Sequence, residues 1–174
     1  MERFGLSPQI RFTLLSLYFA LVLPLPVLAP AGLQAPMLVG LLVGLVLITG
    51  LLSEQVETDA DGITVRYPTW IRWLLRRGWS MRWQDMRALV PVSTSQGGTV
   101  YYLKSADLNH HLLPQRIARF DQFLSTVGER SSLDTKGIGR LTPPWTYLLL
   151  AALSTLMLVG EIVTAIWHFS TTIS

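Results

Sequence analysis

FTLLSLYFALVLPLPVLAPAGLQAPMLVGLLVGLVLITGLL, residues 12–52, contains no Asp, Glu, Lys or Arg. A bilayer core takes about 20 apolar residues of helix. This stretch holds two such lengths, residues 12–29 and 33–52, joined only by Pro30-Ala31-Gly32. So short a connection makes them an antiparallel hairpin, and Pro24 and Pro26 are expected to kink the first helix near the turn. A third run, WTYLLLAALSTLMLVGEIVTAIW at residues 145–167, carries a single charge, Glu161. Its 22 steps of about 1.5 Å span roughly 33 Å. Trp145 and Tyr147 mark one end and Trp167 the other, the pattern of an aromatic belt.

Working outward, half of the 174 residues are hydrophobic and 14% are charged, against roughly 25% in soluble domains. Residues 53–143 hold 12 Lys+Arg and 9 Asp+Glu, a net +3 (12 − 9), and only Arg3, Arg11, Glu2 and Glu161 lie elsewhere. The reading is an integral membrane protein with three transmembrane helices and one small soluble domain. The hairpin turn and the C-terminal tail are uncharged, while Arg3, Arg11 and the basic middle block share the other side. The positive-inside rule then places the N-terminus and the soluble domain in the cytoplasm and the C-terminus outside or in a lumen, in a bacterial plasma or thylakoid membrane. A cleaved signal peptide, with Ala29-Pro30-Ala31 as the cut, is the competing reading. The long apolar run, its two prolines and the second span directly behind it argue against cleavage. A net +3 is too weak to suggest nucleic acid and fits a surface facing anionic headgroups. With no cysteine, disulfides and thiolate chemistry are excluded.

Inside the apolar segments, Gly40 and Gly44 form a GxxxG pair, which lets helix backbones approach closely. Ala151, Ala152 and Ser154 offer a complement on the third helix. The pair serves either packing within the three helices or docking of another membrane protein. Glu161 is the one ionisable group within a span, costly there and so a functional candidate. It could be protonated, hydrogen-bonded to Gln34 or Thr49, shallow enough to reach headgroup water, or paired with a partner protein. One acid in three spans does not make a transport pathway.

In the middle block, the acidic run Glu54, Glu57, Asp59 and Asp61 reads as a solvated connector into the Asp61-Gly62 turn. Strands follow in Ile63, Val65 and Tyr67, in Trp79, Met81 and Trp83, in residues 85–92 and in residues 99–104, with a possible fifth in residues 108–113. Pro114 is expected to open a helix, with Ile117, Phe120, Leu124 and Val127 on its apolar face and Gly128 as C-cap. The expected division is a transmembrane hairpin at 1–52, a soluble domain at 53–130, a linker at 131–143, and a third transmembrane helix with a short tail at 144–174.

Gly62-Ile63 after a hairpin, then Arg76-Arg77-Gly78-Trp79, Trp83-Gln84-Asp85-Met86, Tyr101-Tyr102-Leu103-Lys104, Leu113-Pro114 and a terminal helix resemble bacterial pleckstrin-homology-like (PH-like) domains. That resemblance covers about residues 54–128. It implies an α+β fold, an antiparallel PH-like sheet or barrel capped by a C-terminal helix, and says little of function. The layout is also similar to the photosystem I assembly factor family. There a two-helix hairpin precedes a soluble domain, and Arg77-Gly78-Trp79, Gln84-Asp85-Met86, Tyr102-Leu103-Lys104 and Phe123-Leu124 fall in similar order. The third apolar helix departs from that pattern, so the likeness is one of architecture.

Trp70, Arg72, Trp73, Arg76 and Arg77 lie between the first two strands expected from the pattern. Tryptophan with arginine suits the headgroup region, where ring and cation are both satisfied. The stretch is read as a contact with lipid or a partner, against the alternative that Trp70, Trp73 and Leu74 pack on the domain. His110 and His111 are adjacent, so on a strand they face opposite ways and cannot share a metal. No catalytic triad, metal set or phosphate loop is indicated, and no cofactor is expected. The expected function is a non-enzymatic membrane-anchored scaffold or assembly factor contacting a membrane-protein complex. The alternative is a regulatory module binding anionic lipid, and a transporter or intramembrane enzyme using Glu161 comes after both.

Overall fold

A computed structural model describes residues 1–72, 77–95, 97–107 and 109–173, with residues 168, 169 and 171–173 in backbone alone. The chain forms two compact units. One joins Met1–Pro8 to Gly50–Pro143, and the other joins Gln9–Thr49 to Pro144–Ser174.

The first unit begins with a strand that periodicity did not reveal, β1 (Glu2–Gly5). Its partner lies beyond the helices α1 (Pro8–Val22), α2 (Pro24–Leu28) and α3 (Gln34–Leu51). That partner is β2 (Gln55–Thr58), followed by β3 (Gly62–Arg66), the one-turn helix α4 (Thr69–Arg72) and β4 (Trp79–Arg82). These strands make an antiparallel sheet in the order β1-β2-β3-β4. A 3-10 turn at Trp83–Asp85 leads to β5 (Met86–Ser93), β6 (Thr99–Ser105) and β7 (His110–Leu112), a second antiparallel sheet. The helix α5 (Phe120–Ser131) follows.

Alternation sorts the first sheet into two faces. Phe4, Val56, Ile63, Val65 and Met81 enter the core, joined by Trp83 and Met86 and by Leu103 and Leu113 from the second sheet. Helix α5 adds Phe120, Phe123, Leu124 and Val127, spaced i, i+3, i+4 and i+7 on one stripe. Phe4 meets Phe123 edge to face, with centroids 5.6 Å apart. Trp83 donates its indole N–H to the Asp59 carbonyl at 3.0 Å, so its polar edge is satisfied inside the core.

Several expectations shift. The helix starts at Phe120, six residues past Pro114, because the intervening chain is used otherwise. The Ser7 N–H donates to Arg116 O at 3.0 Å and the Ala118 N–H to Gly5 O at 2.8 Å, and Leu6 bridges Ile117. The N-terminal segment is thus held on both edges, by β2 and by residues 116–118. Helix α5 also runs through Gly128 to Ser131, and the left-handed residue that ends it is Ser132, at φ 57°. Leu133 and Ile138, expected in a linker, pack against the core. The acidic run is not a solvated connector throughout. Gln55–Thr58 is a strand, and Glu57 within it is buried.

In the second unit, α1 with α2, α3, and α6 (Pro144–Ile173) are the three long apolar helices expected. Pro8–Leu28, Gln34–Leu51 and Pro144–Trp167 are each long and apolar enough to cross a membrane. The break comes at Leu23-Pro24, where proline removes a helix hydrogen bond. Helix α1 takes the inside place, for its window is 28% buried against 11% and 6% for the other two. Ser16 Oγ meets Ser154 Oγ at 2.9 Å, and the Thr13 hydroxyl donates to Tyr147 O at 3.1 Å. On the α3 side, the Tyr18 hydroxyl donates to Leu41 O.

Candidate functional site

The outward face of the first sheet carries a polar row in register. Arg3 lies opposite Glu57, Glu57 opposite Thr64, and Thr64 opposite Ser80. Arg3 Nε approaches Glu57 Oε1 at 3.0 Å, and Arg66 Nε approaches Oε2 at 3.3 Å. The second contact is an ion pair without hydrogen-bond geometry, since Oε2 accepts no hydrogen bond among the described residues. The Glu57 side chain is 6% exposed, while those of Arg3 and Arg66 are 71% and 65% exposed. The arginines therefore roof the carboxylate and stay in solvent themselves. Thr64 and Ser80 close the row, hydroxyl to hydroxyl at 3.0 Å.

An open groove of about 740 Å³ runs along this face and is bounded at its far end by Thr69 and Arg72 of α4. The Ile71 and Arg72 N–H groups both donate to Pro68 O at 3.1 Å, which fixes that single turn. Ile71 is fully buried, and Trp70 is 43% exposed. The Trp70 ring and the Ile71 side chain lie where a Cβ on Gly50 would project, so Gly50 is the seat for both.

The structure divides the arginines expected to act together. Arg72 lines the large groove, whereas Arg77 lines a separate cavity of about 200 Å³ that also takes in Glu54, Trp79 and Arg116. Trp73 and Arg76 lie outside the described residues. Arg3, Glu57 and Arg66 were not singled out in the sequence as a groove. The alternation in Gln55–Thr58 was the available signal, hidden because its partner strand lies beyond two helices.

The intramembrane candidates also separate. Tyr18 fills the notch at Gly44, its hydroxyl oxygen 2.6 Å from where a Cβ would stand, whereas Gly40 has nothing within 4 Å. Ser154, expected opposite the glycine pair, faces Ser16 of α1 instead. Glu161 lines an apolar cavity of about 320 Å³ with Leu23, Pro24, Val27 and Ile162, and its Oε2 is enclosed without a hydrogen-bond partner among the described residues. Gln34 donates to Ala29 O and Thr49 to Leu45 O, so both amide and hydroxyl are engaged elsewhere.

Among the described residues, two titrating groups are shifted. The Gly62 and then the Asp61 N–H groups donate to the Asp59 carboxylate and lower its pKa. Desolvation, then the neighbouring His110, lowers that of His111, which stacks on Trp79 at 4.6 Å with 8° between the planes. Among the described residues no three His, Asp or Glu gather as a metal site.

Fold and site together define an α+β chain that couples a two-sheet domain with a polar outer groove to a unit of three long apolar helices. The chain is 42% identical over 173 residues to "Uncharacterized protein slr0269" of Synechocystis sp., an alignment covering 94% of this chain and 86% of that protein. It belongs to the family of that Synechocystis protein. No protein-family model matches the chain, and no solved structure matches it.

Proposed function

We propose that the chain is a non-enzymatic scaffold or assembly factor, anchored in a bacterial plasma or thylakoid membrane by three spanning helices, whose PH-like domain contacts a membrane-protein complex. The observation that carries this reading is the outward small-residue notch at Gly40. It lies on a helix that this chain leaves almost uncovered, while the matching notch at Gly44 is filled from within. An open glycine on a helix face suits close approach by another helix. The weakly buried α6 offers a second surface that water would not cover favourably.

The PH-like reading is supported by the strand count, by the division into four and three strands, and by the terminal helix packed on the core. The same layout supports the likeness to the photosystem I assembly factors. The pairing of β1 with β2 supports the topology, because Met1–Pro8 and Gly50–Pro143 belong to one compact unit and so lie on one side of any bilayer that the hairpin crosses twice. Charge asymmetry makes that side cytoplasmic.

The experiment is extraction of the tagged full chain in mild detergent, with mass spectrometry of what accompanies it. Gly40→Cys supplies the sole thiol for crosslinking. A reproducible membrane-protein partner that crosslinks through Cys at 40, and not through Cys at the filled position 44, is expected. Recovery of the chain alone under every mild condition would remove the scaffold reading.

A further inference from the structure

We infer that the groove on the outer face of the first sheet holds the phosphate headgroup of an anionic phospholipid, with Arg3, Arg66 and Arg72 as its cationic walls. The inference deepens the proposed function and rests on its premise that the apolar helices span a bilayer.

Three observations support it. First, the groove holds three arginines against one glutamate, a net +2. Glu57 meets Arg3 at Nε, 3.0 Å from Oε1, and Arg66 at Nε, 3.3 Å from Oε2. Among the described residues, the side chains of Arg3, Arg66 and Arg72 donate no hydrogen bond. A guanidinium drawn over a buried carboxylate by charge, with no hydrogen bond spent, keeps its N–H groups for a phosphate oxygen. The buried acid is thus a strut that aims two cations, not a competitor for the anion. Second, Thr64, Thr69 and Ser80 place hydroxyls along the same wall, suited to a glycerol headgroup with both donors and acceptors. Third, the groove lies close in the chain to an apolar helix. Ser53, on its lining, is two residues past Leu51, the last residue of α3, so at most about 7 Å of chain separates them. Trp70, half-exposed on the same short helix as Arg72, is a ring of the kind that favours a lipid headgroup region.

A free phosphate ion shares the anion chemistry but not the third observation, so the lipid is the occupant proposed.

The test uses the full chain reconstituted in nanodiscs of equimolar phosphatidylglycerol and phosphatidylcholine, with native mass spectrometry of the lipids that remain bound after release. Phosphatidylglycerol should be enriched. Arg72→Gln, at an exposed side chain without a partner among the described residues, should cut the enrichment by about threefold to tenfold, the range for losing one typical hydrogen bond. The combined Arg3→Gln, Glu57→Gln, Arg66→Gln chain removes both roofing cations and the acid beneath them, so no unpaired charge is left buried. It should lose most of the enrichment while melting as a folded protein. Arg87→Gln, an exposed cation outside the groove, should change nothing.

Equal loss in Arg87→Gln would overturn the site in favour of general surface charge. Unchanged enrichment in Arg72→Gln would overturn it even if the combined variant fails to fold. Displacement of the retained lipid by millimolar inorganic phosphate would overturn the lipid as occupant. Carbonate extraction separates the two levels. A chain that resists extraction yet shows no lipid preference sinks only the groove, whereas a chain released by carbonate sinks the membrane premise and the groove with it.

Discussion

Arg3 and Glu57 stand directly opposite each other on β1 and β2, Nε to Oε1 at 3.0 Å, although 53 residues and two apolar helices separate them in the chain. Arg3 and Arg66 together close over this carboxylate, which is almost wholly buried. Removing a single roof therefore differs from removing both. Arg3→Gln leaves Arg66 in place and strips a well-exposed cation, so the loss should be about 0.2–1 kcal/mol, the scale of solvent-screened pairs. Arg3→Gln with Arg66→Gln strands the acid and should cost about 3–5 kcal/mol. Adding Glu57→Gln should recover most of that. Denaturant melts of the full chain in detergent measure all three, and additive losses without rescue would contradict the strut.

Phe4 is 1% exposed and sits edge-on to Phe123. Phe4→Ala should lower stability by about 3–5 kcal/mol, seen as an earlier melt of the sheet unit. An unchanged melt would mean that the N-terminal segment is no part of this core.

Ser16 and Ser154 touch at 2.9 Å between α1 and α6, and the chain has no native cysteine. Ser16→Cys with Ser154→Cys should form an intramolecular disulfide on mild oxidation of membranes, read as a shift on a non-reducing gel. Ser16→Cys with a cysteine in place of Leu156, which is exposed, should not.

The enclosed Glu161 oxygen has no partner among the described residues and lies among apolar side chains. An unpaired acid in such a place costs stability. Glu161→Leu should therefore raise the melting temperature of the purified chain. If a partner supplies the missing cation, the same substitution should release that partner from the mild-detergent complex. A purified chain that melts lower as Glu161→Leu would show that the acid is supported within the chain.

Acid should weaken the sheet unit in two windows. His111 is lowered below its ordinary 6.5, so on acidification the unfolded chain takes up this proton first. Stability is complete above pH 6.5 and falls as the pH drops below it, and His111→Gln should flatten that part of the profile. Asp59 is lowered below its ordinary 3.8, so its contribution is present above that pH and is lost as the pH falls through the lowered value. Asp59→Asn should reduce that lower slope. Chemical melts at stepped pH measure both.

Much of this was legible before any coordinates. The apolar helices were read to within a few residues of their ends, because uncharged length of that kind has few other uses. Strands β3 to β6 followed from alternation. Strand β1 was not legible. Four residues carry too little period, and their meaning comes from partners 50 to 56 positions away. The helix start at Phe120 was missed for a related reason, since Arg116 to Ala118 pair with the extension of β1 and tertiary pairing overrides the signal from Pro114. In the site, the lone arginine cluster at residues 72–77 drew the eye, while the register that sets Arg3 and Arg66 around Glu57 could not be counted from spacing.

The split origin of the first sheet also orders its assembly. Its edge strand is made before the apolar hairpin, and its partner β2 only after it. The sheet therefore works as a latch that closes once both apolar helices have been made, so a hairpin that fails to fold back on itself leaves Phe4 outside its socket and the domain open to proteases. The same stitching means that residues 53–130 are not an excisable module. A soluble version needs residues 1–8 rejoined to Gly50–Pro143 by a short artificial loop.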